Sequence, residues 1–344
     1  MSQAPATQPA KGKVDPAKTK LVKELKHNSP MIGCRFDPSG RFVFAGAQDN
    51  TVQRWEIATG KRTAFEGHKS WVRALAFDSA GKTLFSADWA GKLLAWDLAA
   101  EKPSPRLTLA AHKGWVRALA VSPDGKSLAS CGNDGMVRLW SPADGKRLAE
   151  FAGHECHVYN VAFHPDGKSL VSADLKGVVK QWDLSKGGAG DVVPPVRQLD
   201  ASILYKYDPV FRADHGGVRS MAFSTDGALL ACAGITDVSN AFAGVGKPLI
   251  VLFDWKTGKR SQLLRPKTPF QGTAWGVKFH RDGFVMGVGA GNGGALWFWK
   301  PENGDNFFTL RLPDNARDLD LHTDGRTLAI PFFNNAVRLY EMGT

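Results

Sequence analysis

The sequence predicts an all-β chain built from seven like units, and three observations carry that prediction. A short apolar run ending in an aromatic residue recurs at Trp55, Trp96, Trp140, Trp182, Phe253, Trp299 and Tyr340. The intervals are 41, 44, 42, 71, 46 and 41 residues, a period that marks a repeat architecture. The apolar runs are four to seven residues long and are separated by turn sequences, which suits strands and is too short for most helices.

Each unit has the same internal order: a His, an apolar run, a turn, a second run, another turn and a third run that ends in the aromatic. The first turns read DPSG, SPDG, HPDG and STDG, whose Pro, Asp and Gly favour tight-turn dihedrals. From Phe36, Phe77, Val121, Phe163 and Leu321 to the closing aromatic is 19 residues each time. From Phe279 it is 20 and from Phe223 it is 30. Hairpins hold such a metric because a one-residue slip turns every side chain to the other face.

The units resemble the WD-repeat (WD40) β-propeller family. The resemblance rests on Gly67-His68 and Gly153-His154, on Trp96-Asp97 and Trp182-Asp183, on the Pro-Asp-Gly turns and on the VRLW run ending at Trp140. It covers about residue 20 to the C-terminus. Units five to seven keep neither the Gly-His nor the Trp-Asp pair. The resemblance implies a single seven-bladed propeller of four-stranded blades over residues 20–344. Seven units of about 42 residues take up roughly 294 residues, leaving no room for a separate catalytic domain. His27, nine residues before Phe36, stands where His68, His112 and His154 stand before their own strands. Residues 20–27 are therefore expected to pair with the blade ending at Tyr340 and close the ring, which removes an exposed sheet edge.

Residues 1–19 are rich in Ala, Pro, Lys and Gln and are expected to be a disordered basic tail, not a signal peptide. No run of 18 apolar residues is present, so no membrane span is expected. Cys34, Cys131, Cys156 and Cys232 have no paired spacing, which fits free thiols in a reducing, cytoplasmic setting. The net charge of +11 favours acidic partners. About a third of that excess lies in the first 26 residues, where solubilisation is the simpler role.

The four regular histidines stand one per blade, so they do not converge on a metal, which needs three or four ligands. The resemblance places each in a hydrogen-bonded set with a strand Ser, the Trp and a turn Asp. Asp49 and Asp134, six residues before their Trp, match that Asp. In units two and four the matching positions are Ala90 and Lys176, with Asp88 and Asp174 two residues earlier, so the set is expected to be incomplete there. The strand tryptophans are expected in the core between blades.

The resemblance also implies which residues reach one rim: those three and five beyond each His, and the one before the turn Asp. These are Trp71, Arg73 and Trp89, then Trp115, Arg117 and Asn133, then His157, Tyr159 and Leu175. Blade five adds Gly217 and Arg219, and blade six Thr273, Trp275 and Asn292. Blade seven adds Asn315, Arg317 and Phe333, and blade one Pro30, Ile32 and Gln48. Trp, Tyr and Arg are enriched at binding hot spots. Arg73, Arg117, Arg219 and Arg317 occupy one repeated position, and guanidinium groups suit carboxylates or phosphates. The competing reading has Trp71 and Trp115 packed under loops and the arginines paired with nearby Asp.

One position before the end of the innermost run, units two to five carry Ala76, Ala120, Ala162 and Ala222. Units one, six and seven carry Arg35, Lys278 and Asp320, so Asp320 is expected between the two cations at the closing seam. Unit five holds two insertions, about 185–213 and 235–248. Ile203 to Tyr207 tilts the first toward packing or partner contact. GVGKP at 244–248 lacks phosphate-loop spacing.

The favoured function is a non-catalytic scaffold, monomeric within a larger complex. Its partner is expected to be an acidic peptide or domain, held by Trp71, Arg73, Trp89, Trp115, Arg117, His157, Tyr159, Arg219, Trp275 and Arg317. No cofactor or metal is expected. Nucleic-acid or other polyanion binding is an alternative that predicts steep salt dependence. A propeller enzyme with a channel site is another, without a visible acid/base set. A Trp-Asp-x-Arg motif for ubiquitin-ligase receptors is absent: Leu98-Ala99 and Leu184-Ser185 follow the two Trp-Asp pairs.

Overall fold

The computed structural model describes residues 12–186, 192–240 and 245–344. Seven four-stranded antiparallel sheets follow one another, each ordered from an inner to an outer strand. Blade one runs through Met31–Phe36, Phe42–Ala47, Thr51–Glu56 and Arg62–Glu66. Blades five to seven build the same sheet although they lack the signature pairs, because apolar alternation and turn chemistry suffice for it.

The core lies between blades. Phe44, Val52 and Phe65 of blade one pack with Leu75, Leu84 and Trp96 of blade two. Of the seven aromatic marks, Trp96 and Trp182 are fully enclosed, and Trp140 is the most open at 7% exposed. At the seam, Leu25, Met31, Cys34 and Trp55 join Ala329, Val337 and Leu339.

Closure occurs as expected, and the closing strand is longer than expected. Asp15–Lys26 pairs antiparallel with Ala336–Gly343, with Leu21 opposite Tyr340 and Leu25 opposite Val337. It begins at Asp15 because Val14 joins an apolar cluster with Phe284 and Met342 and donates its amide to Asp282. Of the expected disordered tail, residues 1–11 lie outside the described residues, and 15–19 are strand.

The insertions of unit five are largely structured. The first supplies the outer strand of blade four, Arg197–Asp200, one 3-10 turn at Ser202–Leu204, and a hairpin of Tyr205–Asp208 with Ala213–Gly216. Leu204 is fully buried in the core between blades four and five. The second insertion lengthens the central hairpin, Leu229–Asn240 with Val245–Asp254, so strand pairing replaces the expected loop. Residues 187–191 and 241–244 of these insertions lie outside the described residues. No helix among the described residues is long and apolar enough to cross a membrane.

A candidate ligand face at the channel mouth

The innermost strands place the expected rim residues by a shared irregularity. In blades one, two, three, four and six the register with the neighbouring strand shifts across one residue: Ile32, Arg73, Arg117, Tyr159 and Trp275. A bulge leaves the extra residue out of the ladder and re-aims its side chain. Here each bulged residue points into the mouth of the central channel, and all five line one cavity of about 600 Å³. Across each strand end a backbone bond holds the third residue of the set, as in Trp89 N–H to the Trp71 carbonyl at 3.1 Å and Asn133 to Trp115 at 3.0 Å.

All ten expected site residues line this cavity, with Ile32, Gln48, Leu175, Asp214 and Phe333. Asn133, Asn292, Asn315, Thr273, Gly217 and Pro30 are not among its lining residues. Aromatic rings and guanidinium groups form a continuous arc around it. Trp89 stacks on Trp115 at 3.7 Å between ring centroids and 8° between planes, with Trp71 at 4.6 Å on its other side. Arg117 lies between Trp115 at 4.3 Å and Tyr159 at 4.4 Å. Arg219 follows between Tyr159 at 4.6 Å and Trp275 at 5.2 Å, then Arg317 between Trp275 at 4.7 Å and Phe333 at 5.2 Å. Arg73 completes the set 5.6 Å from Trp275. The tryptophans therefore pack on one another, not under loops.

The arginines do not pair with Asp. Among the described residues no ion pair within 4.0 Å reaches Arg73, Arg117, Arg219 or Arg317. Arg117 donates to Asn133 Oδ1 at 2.7 Å, and Arg73 to the Ile32 carbonyl at 3.3 Å. The buried Nε atoms of Arg219 and Arg317 and the indole nitrogen of Trp89 have no acceptor. Burial pushes the Arg73 and Arg117 guanidinium groups down to about 10; the Asp318 charge opposes this at Arg73, and the charges of neighbouring arginines add to it at both. Both remain charged at neutral pH.

Below this ring the charges are matched. Lys278 pairs with Asp320 at 2.8 Å as expected, but Arg35 pairs with Asp318 at 2.7 Å and not with Asp320. The other Asp320 oxygen accepts the Phe36 amide at 2.9 Å, and Arg35 is long enough to reach one step further up the channel. Two acidic residues escaped the sequence reading. Asp318 was detectable, since it replaces the Gly, Ala, Ser or Asn that follows the rim residue in the other units. Asp214, which lines the mouth and accepts the Tyr205 hydroxyl at 2.6 Å, stands five residues before Arg219, at the position where units one to four carry their His, but on an added hairpin.

The histidine sets are structural. His68 Nδ1 lies 3.0 Å from Asp88, and its Nε2 lies 2.6 Å from Ser86, whose hydroxyl also accepts the Trp96 indole N–H at 2.8 Å. His154, Asp174, Ser172 and Trp182 repeat this at 2.8, 2.7 and 2.8 Å. The expected gap in blades two and four is thus filled. An Asp at the strand end caps the turn with one oxygen, as Asp88 does to the amides of Ala90 and Lys92, and turns the other to the His. Asp134, two residues later, reaches His112 at 2.8 Å from within the turn.

Fold and site together define a closed seven-bladed propeller with a cationic, aromatic-walled channel mouth. The model of the WD domain, G-beta repeat, matches residues 19–56, 60–97, 103–141, 145–183 and 208–237, more than half of the chain. The chain belongs to the WD-repeat family. It is similar to WD repeat and FYVE domain-containing protein 2 of Caenorhabditis briggsae, 36% identical over 81 residues, which cover 23% of this chain and 19% of that protein. The nuclear distribution protein PAC1 of Arthroderma otae is 35% identical over 77 residues, 21% of this chain and 17% of that protein. Transcription initiation factor TFIID subunit 5 of Caenorhabditis elegans is 33% identical over 73 residues, 21% of this chain and 11% of that protein. The chain thus spans less than a fifth of the length of each of these relatives.

Proposed function

We propose that this chain is a non-catalytic interaction platform that binds an acidic peptide or domain at the channel mouth. WD-repeat relatives suggest a protein-interaction scaffold in general, and one of them is by name a subunit of a larger factor. The observation that carries the specific reading is the arc of four guanidinium groups, three between aromatic rings and Arg73 against Trp275, with no ion pair among the described residues. Such groups bring fixed N–H donors and large apolar area at little further ordering cost. The four regular histidines are each committed to their own blade, which removes them from any shared reaction centre. With its four cysteines free, the protein suits a reducing, cytoplasmic setting.

The test is fluorescence anisotropy with a labelled Asp/Glu-rich peptide, its charge-reversed counterpart and a single-stranded oligonucleotide. Each is run at two salt concentrations against wild type and the Arg73→Ala/Arg117→Ala variant. Binding of the acidic peptide that weakens at least tenfold in the variant supports the reading. Equal binding by wild type and variant sinks it. Preferential oligonucleotide binding lost at high salt moves the function to polyanions.

A further inference from the structure

The charge at the channel mouth is unbalanced in a way that specifies a ligand independently of any protein partner. Four guanidinium groups, those of Arg73, Arg117, Arg219 and Arg317, line a cavity that among the described residues contains one carboxylate, Asp214. That carboxylate already accepts the Tyr205 hydroxyl. One layer deeper the balance is restored, because Arg35 with Asp318 and Lys278 with Asp320 form matched pairs. The excess positive charge is therefore confined to the mouth.

Three of the four guanidinium groups crowd a single ring, since Arg73, Arg219 and Arg317 lie 5.6, 5.2 and 4.7 Å from the centroid of Trp275. Cations so close repel one another, and burial strengthens the repulsion. The rings on either side of Arg117, Arg219 and Arg317 occupy the space over the guanidinium groups, leaving N–H edges to meet an acceptor. The Nε atoms of Arg219 and Arg317 are buried without a protein acceptor, so an oxyanion would meet the Nη ends of these groups. A guanidinium edge grips oxyanions bidentately. One carboxylate offsets only one charge here, whereas an oligophosphate offsets three or more and presents an oxygen to each fork.

We infer that the channel mouth is a binding site for a small multivalent oxyanion of the di- or triphosphate class, held by Arg73, Arg219 and Arg317 around Trp275 with Arg117 beside them. The inference stands apart from the acidic-partner reading, since it needs only the free protein and a small ion. If an acidic partner also docks at this mouth, the two compete.

Isothermal titration calorimetry of the whole protein with inorganic triphosphate, and with sulfate at matched ionic strength, tests it. One site per chain is expected, with triphosphate at least tenfold tighter than sulfate. Arg219→Gln/Arg317→Gln should weaken it by at least tenfold, while Arg311→Gln, an exposed change away from the cavity, should leave it unchanged. Thermal melts of the same variants check folding, and Arg317→Lys supplies a variant that keeps the charge and loses the fork. Several weak sites that persist in the double variant would overturn the inference, as would triphosphate and sulfate binding alike. Triphosphate binding without acidic-peptide binding would leave this inference standing and defeat the partner reading; the reverse would do the opposite.

Discussion

Replacing Ser172 by Ala tests whether the His-Ser-Trp-Asp sets hold the blades together. Ser172 is fully buried and lies 2.8 Å from the Trp182 indole nitrogen and 2.7 Å from His154 Nε2. The directions follow from donor balance. Asp174 as a carboxylate only accepts, so His154 Nδ1 carries the proton, Nε2 accepts from the Ser hydroxyl, and the hydroxyl oxygen accepts from Trp182. Removing the hydroxyl leaves one buried donor and one buried acceptor without partners. At about 1–3 kcal/mol for each group, the loss is roughly 2–6 kcal/mol. With an unfolding entropy near 2.1 cal/mol/K per residue, a ring of this length melting as one unit loses about 3–9 °C. Calorimetric and circular-dichroism melts measure it, with Ser169→Ala as control, since that half-buried hydroxyl accepts only the Gln181 amide at 2.9 Å. Ser86→Ala and Ser130→Ala should match Ser172→Ala, because their distances are the same within 0.1 Å. A Ser172→Ala melt within about 1 °C of wild type, on the same scale, would refute the reasoning.

Three further outcomes are expected. Asp320→Ala strips Lys278 of its ion pair and the Phe36 amide of its acceptor, so it should cost about 3 kcal/mol, and an unchanged denaturant midpoint would count against the paired layer. Gly33→Ala puts a Cβ against the Arg73 carbonyl oxygen, where blade one meets blade two; chemical denaturation should show a loss of about 1–3 kcal/mol, and triphosphate titration of the folded variant should show weaker binding. Burial holds His112 below its ordinary value despite its bond to Asp134, so below about pH 6.5 the unfolded chain takes up a proton that the folded chain refuses. The His112 contribution should fall as pH drops from 7 to 5, against an opposite one from His322, which Asp324 holds above its ordinary value, and Asp134 adds to the loss only below about pH 4. His112→Asn should flatten the first part of that slope, and parallel slopes would exclude the assignment.

Much of the site was legible because the repeat supplies a coordinate system. A bulge at one position in five inner strands sends equivalent residues to one place, so Arg73 and Arg117 could be grouped by counting from the His. Counting failed where one repeat position took a different local fold. Asp214 holds the His position of unit five, but there the chain pairs with the added strand Tyr205–Asp208, and the side chain lines the mouth. It also failed where reach decides, since side-chain length and a competing amide, not position, gave Arg35 to Asp318. The tetrads of blades two and four were misread for a related reason: one histidine nitrogen is reached from two different turn positions.

By itself the sequence determined the seven blades, the closure by an N-terminal strand and the set of residues that share one rim. Each of these follows from periodicity, which survives in the chain because strands of one length and turns of one type repeat. Only the tertiary structure decided that the arginines lie against aromatic rings and, among the described residues, have no ion pair. Closing the ring brings residues more than a hundred positions apart, such as Arg73 and Trp275, to within 5.6 Å, and charge balance is a property of that closed geometry.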